Sequence, residues 1–186
     1  MILESLVTSR NDEGVLNIAP MGPSVDRELQ TIELRPFKSS TTYANLLATS
    51  TAVVHVIDDV LLIARAATGT IENTPAIRNL QNRWTVLEAA SRWLAVEIVQ
   101  WIDDDLRPTA KCRICHQGTG PPFFGFNRGK HAVIEAAILA TRTHLLPLAE
   151  IQHEFERLQI LVDKTGGDQE HEAFRLLRAS VDRSYK

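Results

Sequence analysis

The stretch from Leu34 to Asp59, LRPFKSSTTYANLLATSTAVVHVIDD, decides the fold of this chain. Its order predicts a strand end, a loop rich in cations and hydroxyls, a short helix over about Thr41 to Ser50 and a strand from Thr51 to Ile57. The hydroxyls suit a helix start, because a serine or threonine oxygen accepts from the unpaired N–H groups of the first turn. The β-branched density of the last run is typical of a buried strand.

The loop before that helix predicts an anion site. Six residues supply its cations and hydroxyls: Arg35, Lys38, Ser39, Ser40, Thr41 and Thr42. Free N–H groups at a helix N-terminus, together with hydroxyls and cations, favour a phosphate group. A plain strand–helix connection with surface basic residues stays open at this point, because isolated motifs often match by chance.

Composition limits the class of protein. The chain has 186 residues, of which 44% are hydrophobic and 23% charged, which suits one globular domain with a small appendage. A net charge of −3 disfavours nucleic-acid binding, which usually needs a basic surface. The sequence has no apolar run of transmembrane length and no signal peptide at its start, and its two cysteines fit reduced thiols. We therefore expect a cytoplasmic protein that binds neither membrane nor nucleic acid.

The residues before the central stretch predict three strands. Ile2 to Thr8 and Val15 to Ala19 flank a turn that ends at Gly14, so they predict a hairpin. Leu29 to Leu34 alternates polar and apolar residues and predicts a third strand. The proline and glycine residues between 20 and 23 are expected to stop the second strand.

A helix and a hairpin are predicted after the central stretch. Asp58 or Asp59 can cap a short helix that Gly69 closes, and residues 70–83 are interpreted as a loop that can include one helical turn. Arg92 to Ile102 and Lys111 to His116 predict a hairpin around an aspartate-rich tip. Alternation puts Leu94, Val96 and Ile98 on one face, and Trp93, Val99 and Trp101 at or near the other. The second apolar face predicts a cover, either a helix or a partner subunit.

The C-terminal third predicts helices. One follows Phe126, a second runs from about Glu150 to Thr165, and the last spans Asp168 to Ser184. The fold class is therefore mainly β with α (α+β), with a sheet or barrel of about six or more strands followed by helices.

Cys112 to His116, CRICH, matches the C-x-x-C-H pattern of haem attachment. Alternation along a strand puts Cys112 and Cys115 on opposite faces, which opposes a shared haem, metal or disulfide. The sequence also lacks a second cysteine pair to complete a zinc site. We therefore predict two ordinary strand cysteines and no metal site.

Two further motifs are compatible with a ligand. In NIAPMG, from Asn17 to Gly22, a proline frees neighbouring backbone groups and a glycine permits close approach, although a routine strand end explains both. Arg128, Lys130 and His131 stand at a helix start, where the dipole favours anions. Either a negatively charged partner neutralises these cations or they face solvent.

Together these motifs resemble the FMN-binding split β-barrel superfamily, the fold of flavin reductases and pyridoxamine-phosphate-oxidase-like proteins. FNRGKHAVIEAAILATR, from Phe126, is similar to a domain-of-unknown-function subfamily of methanogens and methylotrophic bacteria. The resemblance covers nearly the whole chain. It implies a split-barrel flavin-binding domain over residues 1–125 and a C-terminal helical segment over residues 126–186, packed on the barrel.

The resemblance also implies a cofactor site, with FMN at a homodimer interface. By motif, the isoalloxazine edge would be lined by Asn17, Ala19, Pro20 and Met21, the phosphate would be held by Arg35, Lys38, Ser39, Ser40, Thr41 and Thr42, and Asn127 and Arg128 would lie near the cofactor or substrate. The implied function is that of a flavin-dependent, flavin reductase-like oxidoreductase, with a link to pterin or one-carbon metabolism through the subfamily.

Two alternatives remain open: a non-catalytic binding module for FMN or another phosphorylated ligand, and a protein that binds a partner through its C-terminal helices. The residues identify no catalytic side chain, because a flavin itself performs the redox chemistry.

Overall fold

The computed structural model describes residues 1–185, which divide into two compact units. The first unit consists of residues 1–57 and 74–123, and the second of residues 58–73 together with the chain from Phe124 onward. The helix predicted after Asp59 therefore groups with the C-terminal helices. The domain boundary expected at residue 125 stays a prediction.

Strands dominate the first unit. Within the described residues they are β1 (Ser5–Arg10), β2 (Leu16–Met21), β3 (Ser24–Val25), β4 (Ile32–Leu34), β5 (Thr51–Val56), β6 (Ile77–Leu80), β7 (Trp84–Leu87), β8 (Arg92–Ile102) and β9 (Thr109–Thr119). Seven form an antiparallel sheet in the order β2-β1-β5-β8-β9-β4-β3, and β6 pairs with β7 alone. This curled half-barrel sheet and the helices confirm the predicted α+β class.

The predicted hairpin at the start of the chain is present as β1 and β2, in register from Ser5 opposite Met21 to Arg10 opposite Leu16. Its turn depends on Gly14, whose φ of 83° is a conformation that glycine adopts without strain. The third predicted strand is shorter than expected. Leu29 has a φ of 55° in a turn whose N–H groups bond to Asp26, so β4 begins only at Ile32.

One face of the sheet carries the main apolar core, which α1 (Thr41–Thr49) helps to cover. Its buried members are Val7, Val25, Ile32, Leu34, Leu46, Ala52, Val54, Leu94, Val96 and Ala110. The other face of β5 and β8 has a smaller core of Val53, Trp84, Val86, Trp93 and Ala95. Because both faces are covered, these central strands are apolar almost throughout.

The cover of the second face differs from the prediction. The β6–β7 hairpin supplies Trp84 and Val86, so neither a helix nor a partner subunit is needed to bury Trp93. The interpretation of residues 70–83 as a loop is wrong for Ile77–Leu80, which forms β6. This strand was missed because its sequence, IRNL, is half polar and only its pairing with β7 makes it a strand.

Trp101 also lies on the face opposite to the one predicted. It packs with Ile98 against the main core, whereas Val99 is 59% exposed. The register of β8 and β9 shifts between Ile98 and Gln100, which marks a β-bulge. A bulge adds one residue to a strand and reverses the alternation beyond it.

His55 is fully buried in β5 and both of its ring nitrogens have partners. Nδ1 lies 3.0 Å from the carbonyl oxygen of Leu6, and the backbone N–H of Leu87 donates to Nε2 over 3.0 Å. An N–H donor at Nε2 leaves no room for a proton there, so the neutral ring with hydrogen on Nδ1 fits both contacts. Burial lowers the pKa of His55 to about 4. His55 is therefore a core histidine with both ring nitrogens satisfied.

Up to residue 185, the second unit is built from four helices: α2 (Val60–Thr68), α3 (Arg128–Ala140), α4 (Leu148–Thr165) and α5 (Asp168–Ser184). The predicted cap of α2 is confirmed, because Asp59 Oδ1 accepts from the Leu62 N–H over 2.9 Å. The buried residues Ile151, Phe155, Phe174 and Leu177 contribute to its core. No helix in residues 1–185 is long and apolar enough to cross a membrane.

Lys130 has an internal partner in this unit. Its ammonium donates to Glu170 Oε1 over 2.9 Å and to the Asp58 carbonyl over 2.8 Å. Burial raises the pKa of Glu170, but hydrogen bonds from Lys130 and from the Gly167 N–H lower it overall. Of the two alternatives for the cations at the start of α3, Lys130 therefore has a negatively charged partner, which is a glutamate of the same chain.

Candidate functional site

The N-terminus of α1 is capped as predicted. Ser40 is the N-cap residue, and its hydroxyl accepts from the Tyr43 N–H over 3.1 Å while donating to the Phe37 carbonyl over 2.7 Å. The first turn of α1 contains no acidic residue, and Ser39 and Thr41 are exposed beside the cap. The positive end of the helix dipole is therefore open to an anion.

Thr42 connects this helix end to β2. Its side chain is buried, and its hydroxyl accepts from Asn17 Nδ2 over 3.0 Å. One turn later, Asn45 Nδ2 donates to the Ser9 hydroxyl over 3.1 Å. The structure thus brings together two sets of predicted site residues, the NIAPMG strand and the hydroxyl-rich loop.

The remaining residues of the NIAPMG motif lie at one edge of the sheet. Ala19, Pro20 and Met21 are half-buried in β2, which pairs with β1 and ends the strand order on that side. Contrary to the expectation that proline stops the strand, pairing continues through Pro20 to Met21. An edge strand tolerates proline, because the missing N–H can point away from the ladder.

The two predicted cations have different surroundings. Lys38 Nζ lies 2.9 Å from Asp103 Oδ1, at the tip of the β8–β9 hairpin. The hydrogen bond to Asp103 raises the pKa of Lys38, and the same bond lowers the pKa of Asp103. The Arg35 side chain is exposed. The pKa of Asp104 is lowered mainly by hydrogen bonds from the Arg107 and Leu106 N–H groups, and the positive charge of Arg35 adds to this effect.

The hairpin tip also holds the backbone of the loop. The Arg107 guanidinium donates to the Arg35 carbonyl from Nε over 3.1 Å and from Nη2 over 2.9 Å, and it lies 4.5 Å from the centre of the Phe37 ring. The Lys38 N–H donates to the Leu106 carbonyl over 3.1 Å. From the sequence this tip is predicted only as the aspartate-rich turn of a hairpin. The sequence contained one signal for this contact, because residues 103–105 (DDD) and 35–38 (RPFK) carry opposite charges. Only the fold shows that the two segments lie close together.

Two domain models of one family match the sequence. The N-terminal domain model of DUF447, a protein of unknown function, matches residues 3–120, and the DUF447 C-terminal model matches residues 127–179. The chain belongs to the DUF447 family.

Solved structures agree with this assignment. An FMN-bound DUF447 protein from Methanosarcina mazei matches 96% of this chain and 94% of its own, with a TM-score of 0.83 and 24% identity. The styrene monooxygenase flavin reductase from Pseudomonas putida S12 matches 66% of this chain and 83% of its own, with a TM-score of 0.56 and 15% identity.

Flavoredoxin from Methanosarcina acetivorans matches 63% of this chain and 68% of its own, with a TM-score of 0.53 and 12% identity. None of the curated proteins matches the sequence. These structural likenesses show that the DUF447 chain has the flavin reductase-like split-barrel fold.

Asn127 and Arg128, the other predicted site residues of this DUF447 chain, begin α3 in the helical unit. Asn127 Oδ1 accepts from the Lys130 N–H over 3.0 Å, and its Nδ2 donates to the Thr165 carbonyl over 2.9 Å. Its side chain therefore caps α3 and ties it to the end of α4. Arg128 is exposed. A ligand-binding role for these two residues stays a prediction.

The cysteines of the CRICH motif lie on opposite faces of β9, as predicted. Cys112 packs against the main core and Cys115 against the smaller one, and both are free thiols. Burial raises the pKa of Cys112 to about 12, so this thiol stays protonated at neutral pH. Within residues 1–185 no group of three or more His, Cys, Asp or Glu residues could hold a metal ion.

Proposed function

We propose that this DUF447 protein binds FMN, with the phosphate at the N-terminus of α1. The observation that carries the proposal is the capped, acid-free start of this helix beside Arg35 and Lys38, hydrogen-bonded through Thr42 to Asn17 on the edge strand. The match to an FMN-bound member of the same family along 96% of the chain supports the choice of ligand.

The contacts of the loop suggest which of its residues shape the helix cap and which bind the phosphate. The Ser40 hydroxyl already accepts one hydrogen bond and donates another, so its role is to shape the cap. Ser39 and Thr41 are exposed, and we assign their hydroxyls and N–H groups to the phosphate. Arg35 and Lys38 supply the positive charge, and Thr42 can still donate its hydroxyl proton.

The isoalloxazine ring is assigned to the edge strand. Asn17, Ala19, Pro20 and Met21 are half-buried, and β2 has no strand on its outer side within the described sheet. Backbone groups along such an edge are available to a ligand. In this proposal the protein is a homodimer with FMN at the interface, as the resemblance to the superfamily implies.

The proposed activity is a flavin-dependent oxidoreduction. When bound, FMN supplies the electron-transfer chemistry, while the chain supplies binding, orientation and electrostatics. Flavin reductase-like neighbours support this class of reaction. A non-catalytic module for FMN or another phosphorylated ligand is the second candidate, because the same acid-free start of α1 would bind such a ligand without turnover. A role in pterin or one-carbon metabolism stays a prediction.

The absorbance spectrum of the purified protein tests flavin binding directly. We expect flavin bands, or their appearance after reconstitution with FMN. Arg35→Ala and Ser40→Ala should weaken FMN binding by about five-fold or more, since each removes a charge or a cap worth about 1 kcal/mol or more. Riboflavin, which lacks the phosphate, should respond far less to either variant. Failure of the wild-type protein to bind FMN even at high concentration would refute the proposal.

Turnover separates the two candidate functions. The FMN-loaded protein is mixed with NADH or NADPH without oxygen, and the loss of flavin absorbance is followed over time. Rapid bleaching supports an oxidoreductase. Stable flavin bands with both donors favour a binding module.

A further inference from the structure

The hairpin tip between β8 and β9 places an acidic residue on a proposed phosphate ligand. Asp103 Oδ1 lies 2.9 Å from Lys38 Nζ, and Asp104 and Asp105 follow it in the same turn. We propose that Asp103 is an internal anion that occupies Lys38 until a phosphate group displaces it, so that Asp103 sets the affinity of the site for phosphorylated ligands. This inference rests on the proposed phosphate site and deepens it.

The ion pair between Lys38 and Asp103 can break at little cost in free energy. Its side chains are 37% exposed at Lys38 and 88% exposed at Asp103. Exposed ion pairs contribute little to stability, because water solvates the separated charges well. Asp103 therefore binds the Lys38 ammonium only weakly, and a stronger anion can replace it.

Breaking the pair does not release the loop. The Lys38 N–H still donates to the Leu106 carbonyl, and Arg107 still donates twice to the Arg35 carbonyl. Asp104 stays in place, because its Oδ1 accepts from the N–H groups of Leu106 and Arg107 over 3.0 Å and 2.7 Å. Only the Lys38 and Asp103 side chains need to move.

A phosphate group competes well against this carboxylate. It carries a charge of about −1.5 to −2 and three acceptor oxygens, whereas Asp103 carries a single negative charge. The start of α1 adds N–H donors that Asp103 does not use. Binding of the phosphate breaks the Lys38–Asp103 ion pair, so the wild-type protein binds phosphate less tightly than the loop would if Lys38 had no internal anion.

The test compares Asp103→Asn with Asp12→Asn in the full chain. Both variants remove one negative charge, but Asp12 is exposed in the β1–β2 turn, two residues after Arg10. The Arg10 carbonyl accepts from Thr49, so this turn lies near the C-terminal end of α1 and not at its start. Asparagine keeps an acceptor oxygen at residue 103, so the turn should persist, which thermal unfolding checks. FMN and riboflavin are titrated by flavin fluorescence in low salt, and inorganic phosphate by phosphorus NMR.

We expect Asp103→Asn to tighten FMN binding by about five-fold or more, with a smaller gain in about 0.5 M salt. Riboflavin affinity and the Asp12→Asn control should change by less than about two-fold, because neither brings a phosphate near the removed charge. In a Lys38→Met background most of the gain should disappear. The inference would be overturned if Asp103→Asn left FMN binding unchanged or weakened it. It would also be overturned if riboflavin affinity rose by the same factor, or if the gain in FMN affinity persisted in the Lys38→Met background.

The phosphate titration keeps this result separate from the proposed function. If the wild-type protein does not bind FMN but Asp103→Asn binds inorganic phosphate more tightly than wild type, the proposed ligand is wrong and the inference on Asp103 stands. If neither FMN nor inorganic phosphate binds more tightly to the variant, the inference itself fails.

Discussion

His55 shows how one buried side chain can set the pH range in which the fold is stable. Its neutral ring accepts from Leu87 and bonds to Leu6, which joins β1, β5 and β7. Protonation would place a second N–H against the Leu87 N–H and would charge a group without solvent. The fold therefore favours the neutral ring, and burial lowers the pKa of His55 from 6.5 to about 4.

We predict that the free energy of unfolding falls as pH decreases from about 6.5 to about 4. In that range the unfolded chain binds a proton at this residue and the folded chain does not, which costs about 3 kcal/mol in total. Above pH 6.5 the contribution is complete, and below about 4 no further loss comes from this residue. Urea unfolding at several pH values measures the slope.

The control for this prediction is His131→Gln, since His131 is 66% exposed. That variant should keep the wild-type slope, whereas His55→Asn should be less stable at pH 7 and should lose most of the slope between pH 6.5 and 4. If the free energy of unfolding of His55→Asn still fell with pH as steeply as that of the wild type, groups other than His55 would be responsible for the loss of stability in acid.

At the scale of elements, the β8–β9 hairpin contributes both to the sheet and to the candidate site. Its strands form the centre of the sheet, and its tip fixes the loop that precedes α1. Arg107 is the main contact, through the Arg35 carbonyl and the Phe37 ring. The geometry of the candidate site therefore depends on a turn about 70 residues away in the sequence.

We predict that Arg107→Ala weakens FMN binding by about ten-fold, because the loop loses two hydrogen bonds and must be ordered by the ligand. Arg107→Lys should recover little of this loss, since an ammonium cannot reproduce the planar fork. Hydrogen exchange at the Lys38 and Ser40 amides should accelerate in both variants even without FMN. Wild-type exchange rates together with wild-type affinity would contradict this role for Arg107.

The smaller core depends on a glycine in β9. A methyl group added at Gly118 would lie 2.5 Å from Cζ2 of Trp93, the residue opposite it in β8. We predict that Gly118→Ala destabilises the protein by about 1–3 kcal/mol, because the ring must shift in a packed site. Thermal unfolding measures the loss, and Thr119→Ala, at an exposed position next to it, is the control. Equal stability of the two variants would mean that the Trp93 side chain can move freely.

At the scale of the whole molecule, the chain alternates between its two units. It leaves the first unit at Asp58 to form α2, returns at Thr74 for the β6–β7 hairpin, and leaves again at Phe124. The helical unit contains charged contacts as well as its core: Lys130 pairs with the buried Glu170, and Arg65 pairs with Glu172 at the surface.

We predict that the FMN-loaded protein is a dimer in solution, because the proposal puts the cofactor at an interface between two copies. Light scattering after gel filtration should give twice the 20.8 kDa of one chain. Dilution in the absence of FMN should favour dissociation, since a ligand bound at an interface stabilises the assembly. A mass of 20.8 kDa at saturating FMN would refute the dimer but not FMN binding.

The sequence by itself determined the features that depend on neighbours along the chain. The hydroxyl cap of α1 at Ser40, the β1–β2 hairpin and the last helix, Asp168–Ser184, follow from capping chemistry and short-range periodicity. The opposite faces of Cys112 and Cys115 follow from alternation in the same way.

Only the tertiary structure decided the features that join distant residues. A bulge turned Trp101 onto the main core, and pairing with β7 made a strand of the polar run Ile77–Leu80. The fold also brought Asp103 to Lys38 and Glu170 to Lys130. Charge and hydrophobicity show which groups need a partner, but the partner is selected by the path of the backbone, which places residues far apart in sequence within hydrogen-bond distance.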